Sequence, residues 1–547
     1  MKKITLISLA VFLISLLVVS CRKEAPYQDG DRTVVPYRLK TALTKVSYAG
    51  EEYGFKSGDI LAISGTDRDD ITGQLSFDGS STWSGQISYL SSEGAPDGST
   101  ALKATLVHAG NTDQSTYASG IAYEKGSASS LLQAAVEKYS LFTADFYFGD
   151  EHATINQQAC FLTATVTFHF ENGNFDLAGE TSVDVIVNNS LTVSGSAVLA
   201  PGGQANSYSA TFVIAMPGGT QLTDQSKILI CDRDVQMIKT GTTKTLVANN
   251  KYTVDRSIDF VPQLGDPFWS DGTYGRIAHK PGVEITGIIV FVNNYEDDDD
   301  DALAVEARAL TEKASGFGHA LVMSLKNAGT GIKWATSNTS NGIPYITSPS
   351  EILGTSNVSG YSNTNTLIVN NANTAAITAH NYRSGEQDTM TGTSGWFLPS
   401  IGQWVYSIST RGFGGAAPAE EWLRNENYVN WLTQGELSNL VLVKNNGTAS
   451  DNLLVKSLND RLQVLQNDFG CAYDSFGMWS GKDFADNYWS SSEYDASNAI
   501  RMNFGSVETR TDNGDKYSSI KTNYLGKGST SAWKSAFVMK VRPFLAF

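Results

Sequence analysis

The stretch CFLTATVTFHF (160–170) alternates strictly. Cys160, Leu162, Ala164, Val166, Phe168 and Phe170 fall on one side, and Thr163, Thr165, Thr167 and His169 on the other. A period of two belongs to a half-buried strand and is incompatible with a helix, whose faces recur about every 3.6 residues. SYSATFVIAM (207–216) repeats the pattern with Tyr208, Ala210, Phe212, Ile214 and Met216. SVDVIV and KYTVDRSIDF add strands between turns such as VNNS and APGGQANS. A half-buried strand must lay its apolar side on a second layer, so residues 45–262 are expected to form antiparallel sandwiches. ASSLLQAAVEKY (128–139) is a short helical exception.

A chain of 547 residues exceeds one core. The expected class is mainly β: two tandem antiparallel β-sandwiches over 45–150 and 151–262, then an α+β domain over 263–547. The last part opens at the Pro/Gly-punctuated PQLGDPFWSDGTYG (262–275) and is rich in tryptophan. It mixes strands with two helical stretches, IGQWVYSIS and LVKSLNDRLQVLQND, the second carrying Leu454, Leu458, Leu462 and Leu465 on one face.

The opening MKKITLISLAVFLISLLVVSC has a charged start and an apolar run too short for a bilayer span of about twenty residues. It is a signal over 1–20, and Val18-Val19-Ser20-Cys21 looks like a bacterial lipobox. Cys21 is then the lipidated mature N-terminus, each buried methylene adding about 0.8 kcal/mol of membrane affinity. Residues 21–44 are a tether and first strand. The membrane is reached through that anchor, at the outer membrane and cell surface.

Forty basic against 56 acidic residues give a net charge of -16, which disfavours nucleic acid as a partner. Cys160, Cys231 and Cys471 cannot all pair and lack zinc spacing; Cys471 is expected to be a buried free thiol. The acidic run YEDDDDDA (295–302) lacks the glycine and distal glutamate of an EF-hand and reads as a solvated loop. With no HExxH, GxSxG or P-loop, no catalytic residue, metal or cofactor is expected, and the chain reads as a non-enzyme.

YGFKSGDILAI (53–63), STWSG (81–85) and ANNKYTVDRSI (248–258) resemble landmarks of the fimbrillin family, lipoprotein subunits of type V pili, over residues 22–262. The resemblance implies two β-sandwiches and a protease cut after an N-terminal arginine, here Arg32 or Arg38. The cut removes the first strand, and other pilus subunits then join by strand addition.

GWFLPSIGQW (395–404), DNYWSSSEY (486–494) and FVMKVRPF (537–544) occur in an order that resembles the C-type-lectin-like superfamily, nearest its formylglycine-generating-enzyme branch. Here Pro399 starts a helix that Ser400 helps cap, Trp489 packs inward while Ser490–Ser492 turn the chain, and the final strand lies beside the domain's first. The sugar-binding triplets and the cysteine pair of that superfamily's members are absent, so neither chemistry carries over. Trp396, Trp404, Trp479, Trp489 and Trp533 are candidate ligand-contact or core aromatics, with Trp422 and Trp431 in the same excess. The combined expectation is a surface adhesion protein, a pilus tip or accessory subunit presenting its last domain to a host or bacterial glycan or protein. The rival readings are a glycan-capturing lipoprotein for uptake and a glycan-active surface enzyme.

Overall fold

The computed structural model describes residues 27–41, 45–48, 51–107, 120–122, 131, 132, 135, 139, 142–170, 179–204, 206–277, 282–294, 302–348, 351, 352, 354, 358–385, 390–408, 436–444, 453–477, 486–504, 507–509, 516–532 and 537–547. Two compact units emerge: residues up to His169 with Leu177–Asp259, and Phe170–Asp176 with Phe260–Phe547. The chain is mainly β with few helices, as its alternation demands.

In the first unit one sheet is built from β1 (Tyr27–Asp29), β2 (Arg32–Thr41), β5 (Ile60–Gly65), β6 (Thr72–Phe77), β7 (Thr82–Leu90), β8 (Ala101–Val107), β10 (Phe142–Tyr147), β11 (His152–Ala153) and β12 (Asn156–Gln157). Its order is β1-β2-β7-β6-β5-β8-β10-β12, with β11 added to β2. Along β7, Trp83, Ile87 and Tyr89 turn into the core. Gly85 must be glycine, because a Cβ there would stand 2.0 Å from the carbonyl oxygen of Gln74 on β6. β3 (Lys45–Tyr48) and β4 (Glu51–Gly54) pair only with each other among the described residues.

The second sheet comprises β9 (Gly120–Ala122), β13 (Ala159–His169), β14 (Gly179–Val187), β15 (Ser190–Pro201), β16 (Ser207–Pro217), β18 (Lys227–Ile230), β19 (Arg233–Gln236) and β21 (Lys251–Asp259). The order is β19-β18-β14-β15-β16-β13-β21, with β9 on β16. β17 (Gln221–Leu222) and β20 (Lys244–Thr245) form a small separate pair. The β14–β15 hairpin turns on Asn188 and Asn189, both at positive φ (51° and 64°), as the VNNS signal requires.

β13 is only partly the half-buried strand expected. Its first six residues are buried on both sides and the alternation sets in afterwards. The reason is that Phe161, with Val213 and Ala215 of β16, faces the core of Leu39, Trp83 and Phe142. Both large sheets therefore contribute to one core. Between the two end strands, Arg256 of β21 donates to the carbonyls of Gln236 and Met237 at 2.8 Å each, tying β21 to the end of β19.

The second unit has a four-stranded sheet of β22 (Pro267–Trp269), β23 (Ile285–Val292), β24 (Ala320–Ser324) and β33 (Phe544–Ala546), in that order. A larger sheet holds β25 (Gly329–Thr330), β26 (Glu436–Lys444), β27 (Asp486–Glu493), β28 (Asn498–Phe504), β29 (Val507–Thr509), β30 (Lys516–Gly526), β31 (Ser531–Ala532) and β32 (Phe537–Val541), ordered β25-β32-β27-β28-β30-β26. Described helices are α1 (Ala302–Leu310), α2 (Gly360–Ile368), α3 (Thr374–His380), α4 (Ile401–Ile408) and α5 (Leu453–Phe469). Leu458, Leu462 and Leu465 of α5 are buried as the helical spacing requires; the Leu454 side chain lies outside the described residues.

Two expectations for this unit need correction. The final strand does not lie beside the unit's first: β32 pairs in parallel with β27, and β33 pairs with β24 at the opposite end of the sheet from β22. Ser490–Ser492 do not turn the chain either. They stay inside β27, where the register slips between Trp489 and Glu493, and the bulge spends its polar groups on neighbours. Ser490 Oγ donates to the Ile500 carbonyl (2.7 Å), the Ser491 N–H to the Pro399 carbonyl (2.8 Å), and Ser492 Oγ accepts from Ile401 N (3.1 Å).

Candidate functional site

β2 is the strand on which the assembly expectation rests. It pairs with β7 from Arg32↔Leu90 to Lys40↔Thr82. On its other edge, β1 covers only Arg32–Val34 and β11 only Lys40 and Thr41, and no described strand pairs with the residues between. Its inward residues Tyr37 and Leu39 are buried, and Val35 packs partly buried against the same core. At about 1.5–3 kcal/mol for each large apolar side chain, the strand closes its groove with something of order 5 kcal/mol. The Tyr37 hydroxyl donates to the Asp150 carbonyl (3.0 Å) and accepts from Gly149 N (3.0 Å), and burial pushes its phenol up.

The two arginines differ in kind. Arg32 is anchored: its guanidinium donates to Ser88 Oγ (3.2 Å), the Ser88 carbonyl (3.2 Å), Thr72 Oγ1 (3.3 Å) and the Asp70 carbonyl. The Asp70 carboxylate, held below its usual range mainly by Arg68, accepts the Leu90 N–H. Arg38 is exposed, opposite Ser84. A cut after Arg38 detaches the inward Val35 and Tyr37, whereas a cut after Arg32 leaves both in the sheet.

Trp396, Trp404 and Trp489 are enclosed. Trp404 packs on Phe544 (4.9 Å between ring centroids) and Tyr488 (5.4 Å), while Trp489 donates its indole N–H to the Ile332 carbonyl at 2.8 Å. None of the three offers a ring to a ligand, because the three motifs converge on each other. Cys21, Trp422, Trp431, Trp479, Trp533 and the acidic run at 295–301 lie outside the described residues.

The second unit instead carries a cavity of about 410 Å³ with Trp269, Tyr382, Phe469, Glu284, Lys326 and Arg383 on its walls. Trp269, fixed by its indole N–H on the Gly275 carbonyl (2.9 Å), meets Phe469 edge-on at 5.7 Å. Arg383 pairs with Glu284 at 3.2 Å, and Lys326 is exposed at the rim. Cys471 lines the same cavity half-buried, not fully buried as expected, with its thiol raised by burial. Rings beside hydrogen-bonding charges suit a sugar or a small acidic ligand. These residues come from separate loops and strand ends, so no local motif announced them. Among the described residues, no three His, Cys, Asp or Glu side chains converge as a cation site, and no helix is long and apolar enough to cross a membrane.

No protein-family model and no curated sequence matches the chain. Among solved structures, a candidate cell adhesion protein of Bacteroides uniformis aligns with 41% of this chain and 94% of its own, at 12% identity and a TM-score of 0.22. The tip fimbrial protein Mfa3 of Porphyromonas gingivalis, with a C-terminal truncation, aligns with 42% of this chain and 96% of its own, at 8% identity and TM-score 0.17. A fimbrial assembly protein of Parabacteroides distasonis aligns with 42% and 93%, at 9% and 0.18.

Proposed function

We propose that the protein is a cell-surface adhesion subunit of a fimbrium, in a tip or accessory position. In this reading it is exported and lipidated at Cys21, then joined to its neighbours by donor-strand exchange. The observation that carries the reading is β2: a strand near the start of the chain, with buried side chains, one continuous partner, and an exposed arginine close to its end. Its loss would leave an apolar groove and an unpaired β7 edge, and an added strand satisfies both at once. The second unit, whose strand β33 is taken up in its own sheet, would then be the part presented to a lectin-type ligand.

The test is digestion of the full chain with an arginine-specific protease, followed by incubation with a synthetic peptide of the β2 sequence or with a purified pilin. The expected product begins at Leu39 and forms a complex that survives SDS without heating. A cut protein that takes up neither strand would end the assembly reading.

The aromatic and charged cavity favours glycan capture as a second reading that needs no partner strand. Glycan-array binding by the full chain, lost in Trp269→Ala, with no strand uptake after cleavage, would establish it over the first.

A further inference from the structure

Deep in the second unit, three groups capable of acyl transfer share one oxygen. Lys527, in the turn after β30, donates Nζ to Glu493 Oε1 at 2.5 Å, and Asn341 donates Nδ2 to the same oxygen at 2.7 Å. The Lys527 and Glu493 side chains are both fully enclosed. Glu493 Oε2 and Asn341 Oδ1 are buried with no hydrogen-bond partner. The Lys527 ammonium also lies 5.0 Å over the ring of Trp334, itself buried. An ordinary structural ion pair has no need of a carboxamide on the same carboxylate oxygen, nor of two orphaned oxygens beside it.

We propose that Lys527 and Asn341 are the partners of an autocatalytic isopeptide bond, with Glu493 as the proton carrier. With both side chains enclosed, passing one proton from the ammonium to Glu493 replaces two buried charges with a neutral amine and a neutral acid. The other two N–H groups of Nζ are held by the carbonyls of Thr339 and Ala496, at 2.8 Å each, so the freed lone pair faces the Glu493–Asn341 side. With the Asn341 amide turned so that Oδ1 replaces Nδ2 against the acid, Nζ attacks Asn341 Cγ while Glu493 gives its proton to Oδ1. As the tetrahedral carbon collapses, the surplus Nζ proton is relayed through Glu493 to Nδ2. The Cγ–Nδ2 bond breaks, ammonia leaves, the proton on Oδ1 returns to Glu493 as the carbonyl re-forms, and the Cγ–Nζ amide remains. Glu493 ends protonated, as it entered the attack, and no oxidant or reductant takes part. Preorganisation on one shared oxygen supplies the proximity such a step needs.

The product ties the loop before α2 to the turn after β30, so tension along the chain would bypass everything between residues 341 and 527. This inference does not depend on the fimbrial reading.

The test is mass spectrometry of the full chain after denaturation and tryptic digestion. The expected result is a branched species joining peptides 334–383 and 522–534, lighter than their sum by one ammonia. Asn341→Ala, at a half-buried position, should yield 334–383 unlinked, with trypsin now cutting after Lys527 to give 522–527 and 528–534. Asn341→Asp should restore a branched product of the same mass, now by loss of water. Glu493→Gln should abolish the bond in whatever fraction folds. Folded wild-type protein that gives only linear 334–383, 522–527 and 528–534, or a bond that maps to other residues, overturns the proposal without reference to any variant.

Discussion

Gln403 donates its side-chain amide to Glu312 Oε1 at 2.9 Å, and the same carboxyl group takes the Ser359 hydroxyl (2.5 Å) and the Tyr361 N–H (3.1 Å). One buried acid, itself at a positive φ of 61°, thus joins the loop after α1 to the starts of α2 and α4. Burial raises its pKa to about 7, against an ordinary 4.5. The folded chain therefore keeps a proton that the unfolded chain loses near the ordinary value. Stability from this group is fully present at low pH, declines as pH rises from 4.5 through about 7, and is flat above. A difference of this size corresponds to about 3 kcal/mol. Denaturant titrations across that window should show the decline, and Glu312→Gln should flatten it.

Ser400 and Gln403 close a reciprocal cap at the start of α4. Gln403 N donates to Ser400 Oγ (3.1 Å) and Ser400 N to Gln403 Oε1 (3.0 Å), while Ser400 Oγ donates to the Val358 carbonyl (2.6 Å). Ser400→Ala removes the cap and orphans a buried carbonyl. The expected cost is about 2 kcal/mol, read as a lower denaturant midpoint at unchanged slope.

Trp489 spans between sheet and loop through its indole N–H on Ile332. Trp489→Phe keeps the ring's apolar burial and loses that bond. About 1–3 kcal/mol of stability should go with it, while ligand binding by the folded protein stays unchanged. A selective loss of binding at full stability would return Trp489 to the ligand-contact role its enclosure denies.

Local chemistry explains which of these features the sequence announced. The VNNS turn, the helix after Pro399 and the leucine face of α5 each depend on residues a few positions apart, so short-range pattern suffices. The two-sided burial at the start of β13 depends on Leu39, Trp83 and Phe142 of the other sheet arriving from elsewhere, and the serines of β27 look like a turn until Pro399 and Ile401 are placed against them. Glu493, Asn341 and Lys527 share no sequence signal at all. Only the fold gathers them, and the cavity around Trp269 is invisible for the same reason.

The edge of β2 permits a direct mechanical test of strand removal. Pro36 stands opposite Gln86 in the β2–β7 register, both on the exposed side, and having no N–H it cannot sit at a mutually hydrogen-bonded pair. The remaining pair type brings facing side chains closest, which suits a cross-strand disulfide. In Pro36→Cys/Gln86→Cys, oxidation should tether the fragment ending at Arg38 to β7 after cleavage, so the groove stays filled and strand uptake falls to background. Reduction should release the fragment on a denaturing gel and restore uptake to the level of the wild-type cut protein. Equal uptake in the oxidised and reduced states would mean that the incoming strand binds somewhere other than the groove under β2.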